Sequence, residues 1–264
     1  MRTLSAVLVA RDEEAMIGNC IKRLYFADEI LVLLDSRSVD STEEIALSLG
    51  AKVIKAKFNN FSHFKNMAID NAVGEWILII DADERISEKL ANEIKSALDK
   101  DYDAYHIKRV NYFYGKLMRY GGWYDEHIRL IKKNTARYVG DLHETFKFEN
   151  NSVRIGILDN PMHHFSHRDI FSNVKKVLNY AEIQAQYEYS HNFPEVKPFT
   201  LYRTVIREFE NRYIHHKGWK DGIPGLIECI LQPFALSLVK IRLWELQQKP
   251  TIDELYEKLE ETTL

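Results

Sequence analysis

The chain of 264 residues is 45% apolar and 28% charged, with 36 lysines and arginines against 39 aspartates and glutamates for a net charge of −3. That apolar content excludes a disordered chain, and the balanced charge excludes general electrostatic attraction to nucleic acid. Its two cysteines, Cys20 and Cys229, are too far apart in sequence for a disulfide framework or zinc cluster and suit a reducing compartment.

In chain order, Leu4–Ala10 is a compact apolar strand, too short for a secretory signal and followed at once by Arg11-Asp-Glu-Glu14. Asp12 is placed to cap a helix to about Leu24, with Ile17, Ile21 and Leu24 at helical spacing. Ile30–Leu34 is a second buried strand ending at Asp35, and Ser41-Thr-Glu-Glu44 has the spacing of a capping box for a helix stopped by Gly50. A strand over Lys52–Lys55, a helix over Ser62–Ala72, a strand over Trp76–Ile80 ending at Asp81, and a helix from a Ser87 cap to Leu98 continue the rhythm. Repeated βα units imply an α/β fold with a mostly parallel sheet and right-handed crossovers. Ligands of such sheets bind at the carboxyl ends of the strands, here Ala10–Arg11, Asp35 and Asp81–Asp83.

From Asp103 the pattern changes. Tyr105–Val110, His127–Lys132 and Thr145–Phe148 alternate like strands of a mixed sheet, joined by the loop Tyr120-Gly-Gly-Trp-Tyr124. After Pro161 it turns helical, over Arg168–Tyr189, Phe199–His216, Leu226–Gln248 and Ile252–Leu259. The expected organisation is a sheet domain over residues 1–165 and a helical accessory region over 166–264. No run of about 18 uninterrupted apolar residues occurs. The nearest, Leu226–Trp244, is broken by Glu228, Gln232, Lys240 and Arg242. No transmembrane helix is expected, and a cytoplasmic location is.

The most informative segment is Trp76-Ile-Leu-Ile-Ile-Asp81-Ala-Asp83-Glu84. In an extended segment Asp81 and Asp83, two apart, converge on one point, and two carboxylates at a strand end hold a hard divalent cation that also takes phosphate oxygens. The ordinary alternative is a polar turn before a helix. Asp35 is placed to accept hydrogen bonds from a base or ribose, or to cap the next helix. Lys65 is placed to hold a diphosphate, although alone it is a surface lysine. Together they describe a nucleotide-diphosphate and metal site.

The ordered set Leu8-Val-Ala-Arg-Asp-Glu-Glu14, Ala27-Asp-Glu-Ile-Leu-Val-Leu-Leu-Asp35-Ser36, Lys65-Asn-Met-Ala68, Asp81-Ala-Asp-Glu-Arg85 and Gly121-Gly-Trp-Tyr124 resembles glycosyltransferase family 2. Within it, the likeness is to lipopolysaccharide core β-1,4-glucosyltransferases, and it continues more weakly at His164-Phe-Ser166, Asn173–Ala185 and Lys220-Asp-Gly222. The resemblance implies a GT-A fold, a Rossmann-like mixed sheet sandwiched by helices with a C-terminal helical extension. It further implies a UDP-sugar donor, Mn2+ or Mg2+, and inversion at the anomeric carbon. Ala10, Arg11 and Glu13 then border the nucleotide, Asp35 contacts the uridine, Lys65 lies near the diphosphate, and Asp81, Ala82 and Asp83 form the donor and metal motif. Glu13 also suits the first turn of a helix.

Relatives read Trp-Tyr-Pro-Asp where this chain reads Trp123-Tyr124-Asp125-Glu126. Without the proline the catalytic base falls on Asp125 or Glu126, with Asp125 preferred; the ordinary alternative is a loop salt bridge to Arg129. Trp123 and Tyr124 are expected against the acceptor, since aromatic faces pack on the C–H face of sugars, although core packing explains such rings equally. Adjacent histidines on a strand face opposite sides, so of His163 and His164 the second is the candidate metal ligand or phosphate contact. A histidine hydrogen-bonded beneath a loop is the alternative. His143 is a candidate for the acceptor pocket.

In the C-terminal helices Leu226, Ile230, Phe234 or Leu236, Val239 and Leu243 give a broad apolar face, flanked by Lys217, Lys220, Lys240, Arg242 and Lys249. Residues 197–249 carry nine lysines and arginines against five acids. A basic amphipathic helix of this kind lies on an anionic membrane surface, packs on the catalytic domain, or meets a second copy in a homodimer. The expected partners are a UDP-sugar donor, a lipid-linked or oligosaccharide acceptor and the inner-membrane surface, with no nucleic acid. UDP-glucose and an inner-core heptose are the first expectation, another UDP-sugar and another surface glycan the second. A sugar-1-phosphate nucleotidyltransferase would need a glycine-rich loop after the first strand, and Val9-Ala-Arg-Asp-Glu-Glu14 has no glycine. A non-catalytic carbohydrate-binding scaffold is opposed by the intact acidic pair.

Overall fold

The computed structural model describes residues 2–140, 144–150 and 152–263. The chain divides into two units: Met1–Tyr112 with Tyr124–Ser166, and Phe113–Trp123 with His167–Leu264. In chain order the elements are β1 (Leu4–Ala10), α1 (Ile17–Ile21), β2 (Glu29–Asp35), α2 (Thr42–Ser48), β3 (Lys52–Ala56), α3 (Phe61–Asn71), β4 (Trp76–Asp81), β5 (Glu84–Arg85) and α4 (Glu88–Ala97). There follow β6 (Ala104–Phe113), β7 (Lys116–Leu117), β8 (Asp125–Lys132), β9 (Ala136–Val139), β10 (Thr145–Phe148) and β11 (Ile155–Phe165). The helices α5 (Ile170–Ser190), α6 (Pro198–Glu210), α7 (Gly222–Gln247) and α8 (Ile252–Thr263) complete the chain.

In the first unit the main sheet runs β3-β2-β1-β4-β8-β6-β11-β5. The first four strands are parallel, β8 is antiparallel to both its neighbours, β11 is parallel to β6, and β5 is antiparallel to β11. This is the expected mixed, mostly parallel α/β sheet of GT-A type. Alternation along the strands builds a core on each face. Leu4, Ala6, Leu8, Val32, Leu34, Leu78 and Ile80 pack with Ile17, Cys20 and Ile21 of α1, Ala46 of α2, and Leu90 and Ile94 of α4. On the other face Val7, Leu31, Leu33, Ile77 and Ile79 pack with Phe64, Ala68 and Ile69 of α3. Burial on both faces explains why the strands read as unbroken apolar runs.

Two helix caps differ from the sequence expectation, although α2 does start after Ser41. Asp12 does not cap a helix; its backbone is left-handed, and its carboxylate accepts from the Val39 N–H at 2.9 Å. The helix is correspondingly short. Ser41 makes no side-chain cap on α2; Asp40 accepts from the Thr42 N–H at 3.0 Å and from the Glu14 N–H at 2.9 Å. Both loops find their partners in each other, which local spacing cannot reveal. They lie at the carboxyl ends of β1 and β2, where Ala10 pairs with Leu34 and Val9 with Asp81. β9 and β10 form a separate antiparallel ribbon, and the expectation for His143 lies outside the described residues.

The second unit has its own apolar core of Ala181, Ala185, Val196, Val239 and Leu243. Phe113–Trp123 belongs with these helices because buried carboxylates hold it. Asp221 accepts from the Arg119 and Tyr120 N–H groups at 2.9 and 2.8 Å, and Glu228 accepts from the Tyr114 hydroxyl at 2.8 Å. His167 Nδ1 lies 2.9 Å from the same Glu228 oxygen. Against the sequence expectation, the stretch Gly218–Gln247 is long and apolar enough to cross a membrane by length and composition, with 33% of its apolar window buried. Glu228, which seemed to break the apolar run, sits wholly buried among its polar partners.

The turn into β4 tolerates no side chain at Gly74. A Cβ there would lie 2.6 Å from the Ser5 backbone nitrogen, while the Gly74 N–H donates to Ser5 Oγ at 2.8 Å. Gly74→Ala is expected to destabilise the protein by about 1–3 kcal/mol through overpacking, read as a lowered urea midpoint with unchanged m.

Candidate active site

The acidic turn that follows β4 is held by backbone and ions together. The Asp81 N–H donates to Glu84 Oε2 at 2.9 Å, the Phe165 N–H to the Asp83 carbonyl at 2.9 Å, and Glu84 pairs with His164 across β5 and β11. Residues 82 and 83 turn rather than extend, and Asp81 and Asp83 have different partners. Asp81 accepts from Arg129 Nη2 at 2.9 Å, whereas Asp83 Oδ2 lies 3.1 Å from His164 Nε2. His164 is anchored through Nδ1, 2.6 Å from Asn111 Oδ1.

Arg129 is buried, and its Nη2 also donates to Glu84 Oε1 at 2.8 Å. Arg109 continues the chain, contacting the same Glu84 oxygen at 3.3 Å and Asp125 Oδ1 through Nε at 2.9 Å, with a second bond from Nη2 to Asp125 Oδ2. His127 Nε2 stands 3.6 Å from Asp125. The sequence Asp81–Arg129–Glu84–Arg109–Asp125 thus alternates in charge. Burial alone would raise the Asp81 carboxyl, but the charges of Arg129, Lys65 and Arg109 hold it far below the usual range. Burial opposes the same shift at Asp125, where hydrogen bonds from His127 and Arg109 prevail and hold its carboxyl far down. Burial pushes Glu84 up, Arg129 pulling the other way.

Asp125 and Glu126 begin strand β8 rather than ending a loop, and they face opposite sides. Asp125 joins the ionic chain, while Glu126 faces His106 at 3.5 Å. The expected alternative of a salt bridge to Arg129 is not what forms: Arg129 is taken by Asp81 and Glu84, and Asp125 by Arg109.

Ala10 and Ala82 are buried at the sheet edge. The Arg11 guanidinium pairs with Asp12 at 3.4 Å and is half-exposed, and the Glu13 N–H donates to Thr42 Oγ1 at 2.7 Å. Asp35 is buried and clamped by Arg37, through Nε at 3.1 Å and Nη2 at 2.6 Å. Those side-chain hydrogen bonds hold its carboxyl below the ordinary range against the effect of burial. Lys65 meets the Glu144 carboxylate and lies over the Tyr138 ring at 5.0 Å. Tyr124 is exposed in the first unit. Trp123 belongs to the second, where Phe113 packs edge-on against it and Arg212 lies 4.2 Å over its ring.

Sequence reasoning missed Arg109, Asn111 and Arg37, and named Glu84 only within the acidic motif and Arg129 only as a loop partner of the base. The signal for Arg109 and Arg129 was a charge at an inward position of a strand, where charge is tolerated only when paired. Asp83 and His164 carry the oxygen and nitrogen donors that a divalent cation takes, and here they meet each other at 3.1 Å. No cluster of three or more protein ligands occurs among the described residues, so further positions would fall to water and phosphate oxygens.

Comparison with known proteins identifies the family and the fold. The family model for glycosyl transferase family 2 matches residues 5–166. The chain is 28% identical to an uncharacterised glycosyltransferase of Rickettsia typhi, over 96% of this chain and 91% of that one. It is 25% identical to LpsC, a lipopolysaccharide core biosynthesis glycosyltransferase of Rhizobium meliloti, over 95% of this chain and 96% of LpsC. Among solved structures it is similar to a mannosyltransferase of Pyrobaculum calidifontis in complex with GDP-Man and Mn2+. That likeness has a TM-score of 0.52 at 12% identity and covers 92% of this chain and 87% of the other.

Lowered carboxyls of this kind stabilise the fold above the unfolded-state pKa near 4, and the benefit is lost as pH falls through their folded values. Arg109→Met leaves Glu84 and Asp125 without this partner and is expected to cost about 3 kcal/mol at pH 7. The deficit should shrink at pH 3, as compared by urea unfolding at both pH values.

Proposed function

The chain belongs to glycosyl transferase family 2, and from that premise we propose that it moves a hexose from a UDP-sugar to a hydroxyl of a lipopolysaccharide or lipooligosaccharide inner-core sugar, with inversion. UDP-glucose is the donor we favour, and we assign the reaction to the cytoplasm, in keeping with the free, buried Cys20 and Cys229. The observation that supports this most is the placement of the Asp81–Glu84 turn. It ends β4 at the same sheet edge as Ala10 and Asp35, and Arg109 links it to Asp125. Similarity to LpsC along nearly its whole length supports the acceptor class.

Asp35, ionised and rigid on Arg37, orients a hydroxyl or imide donor of the nucleoside. Arg11 and Lys65 supply cations for the diphosphate, Lys65 exchanging its contact with Glu144 for a phosphate oxygen. Asp83 and His164 would hold Mn2+ or Mg2+, which when bound supplies Lewis-acid stabilisation of the departing diphosphate. Asp125, kept ionised by Arg109 and His127, accepts the proton of the acceptor hydroxyl as its oxygen attacks the anomeric carbon. The bond from that carbon to the diphosphate breaks on the opposite face, and UDP leaves with the electron pair. Tyr124, exposed beside Asp125 in sequence, offers an aromatic face to the acceptor sugar.

A thermal-shift and transfer panel with UDP-glucose, UDP-galactose and UDP-N-acetylglucosamine, each with Mn2+ or Mg2+, tests the proposal. One donor should raise Tm only with metal, and Asp83→Ala should lose both that shift and transfer. Asp125→Asn should keep the shift and lose roughly 100-fold or more in kcat. Folded protein without any donor-dependent shift would refute it, and donor binding without turnover on core oligosaccharides would point to a binding scaffold.

A further inference from the structure

Arg85 closes the acidic motif, yet it spends its guanidinium on backbone. Nη1 donates to the Ala82 carbonyl at 2.6 Å and to the Glu84 carbonyl at 2.7 Å. One nitrogen thus holds the residues on either side of Asp83. Nη2 donates to the Met16 carbonyl at 2.9 Å, directly before α1 and in the same loop as Arg11 and Glu13. The guanidinium carbon lies 5.9 Å from the centroid of the Phe165 ring, and the Phe165 N–H holds the Asp83 carbonyl at 2.9 Å. Cys20 Sγ lies 3.6 Å from the Asp81 carbonyl. The carbonyls from Asp81 to Glu84 are therefore each met by a donor from elsewhere in the first unit, and Arg85 supplies two of the four.

Ala82 and Glu84 are buried, and a buried carbonyl left without a donor is costly. A turn that presents two such carbonyls side by side needs a donor with a fork. A guanidinium is planar and holds its N–H groups at fixed angles, whereas a lysine ammonium is a point charge on a flexible stem. The same bonds argue against Arg85 as a cation for the diphosphate, because its nitrogens are turned to three carbonyls of the protein. Charge sharpens the distinction. A guanidinium bonded on both sides of Asp83 repels any cation that Asp83 holds, so its electrostatic effect on a metal is unfavourable. Its geometric effect has the opposite sign.

We propose that Arg85 is the positioning residue of the metal turn. Its fork on Ala82, Glu84 and Met16 fixes the place from which Asp83 meets a divalent cation, and ties that place to the loop after β1 that borders the nucleotide. This role rests on the metal site proposed above for Asp83.

The test is Mn2+ binding to the full chain, followed by electron paramagnetic resonance with and without UDP, beside Tm and the Mn2+ dependence of transfer. Arg85→Lys keeps the charge and loses the fork; Arg85→Gln loses both. Each should weaken Mn2+ binding roughly 10-fold or more, the size found when a residue that orients a metal ligand is replaced. By charge alone Arg85→Gln would bind Mn2+ more tightly, so the two effects differ in sign. UDP binding in EDTA should match wild type, and kcat at saturating Mn2+ should fall less than kcat/KM for the metal. Arg85→Lys, which can still bond one carbonyl, keeps the test available should Arg85→Gln not fold. Gly74→Ala, at the far end of β4, is the control for lowered stability and should bind Mn2+ like wild type.

Wild-type affinity in either variant, or tighter binding by Arg85→Gln, would overturn the proposal. So would weakened UDP binding without metal, which would make Arg85 a diphosphate cation, or an equal loss in Gly74→Ala, which would make the effect one of stability alone. A wild type that takes up no Mn2+ even with UDP would remove the metal role of Asp83 and this role together. A wild type that binds Mn2+ beside unaltered variants would remove this role alone and leave the transfer proposal standing.

Discussion

The buried guanidinium of Arg129 is the constraint on which the acidic edge depends. Glu84 is wholly inaccessible, and a carboxylate there without a cation would not stay in the fold ionised. Arg129 lies against both Glu84 and Asp81, and Arg109 passes the compensation on to Asp125. The result is an ordered string of alternating charges where a set of mutually repelling carboxylates would otherwise stand. Its consequence for chemistry is a division of labour in the turn: Asp81 faces inward to the arginine, and Asp83 faces His164.

Buried carboxylates organise the helical unit by the same physics with different partners. Asp221 takes two backbone N–H groups of the segment that precedes Trp123, and Glu228 takes a tyrosine hydroxyl and a histidine. These bonds explain why residues 113–123 belong with helices a hundred residues later in the chain. They also keep the apolar side of α7 outward, since the polar anchors occupy the inward side of its first turns. A helix apolar enough to cross a bilayer is thereby held flat against its neighbours.

Much of the sheet was legible because its information is local. Leu4–Ala10, Glu29–Asp35 and Trp76–Asp81 are short apolar runs ending in charge, and parallel strands buried on both faces can hardly read otherwise. The places of Asp35 and Asp81–Asp83 at strand ends followed from that pattern. What failed was local capping logic: α2 starts after Ser41 as expected but without its side-chain cap, and Asp12 caps no helix, because the loops after β1 and β2 bond to one another. A side chain that has a partner 26 or 27 residues away does not announce it through spacing.

By itself, then, the sequence determined the βα alternation, the acidic turn after a buried strand, and the basic, apolar character of the C-terminal helices, because periodicity and composition act within a few residues. Only the tertiary structure decided which carboxylate meets which arginine. Arg109 and Arg129 lie on neighbouring strands that are distant in sequence from Asp81 and Glu84, and only the strand order β4-β8-β6 brings them together. The same holds for the two candidates for the base: Asp125 and Glu126 are adjacent letters, and the pleat of β8 sends one to the ionic chain and the other to His106.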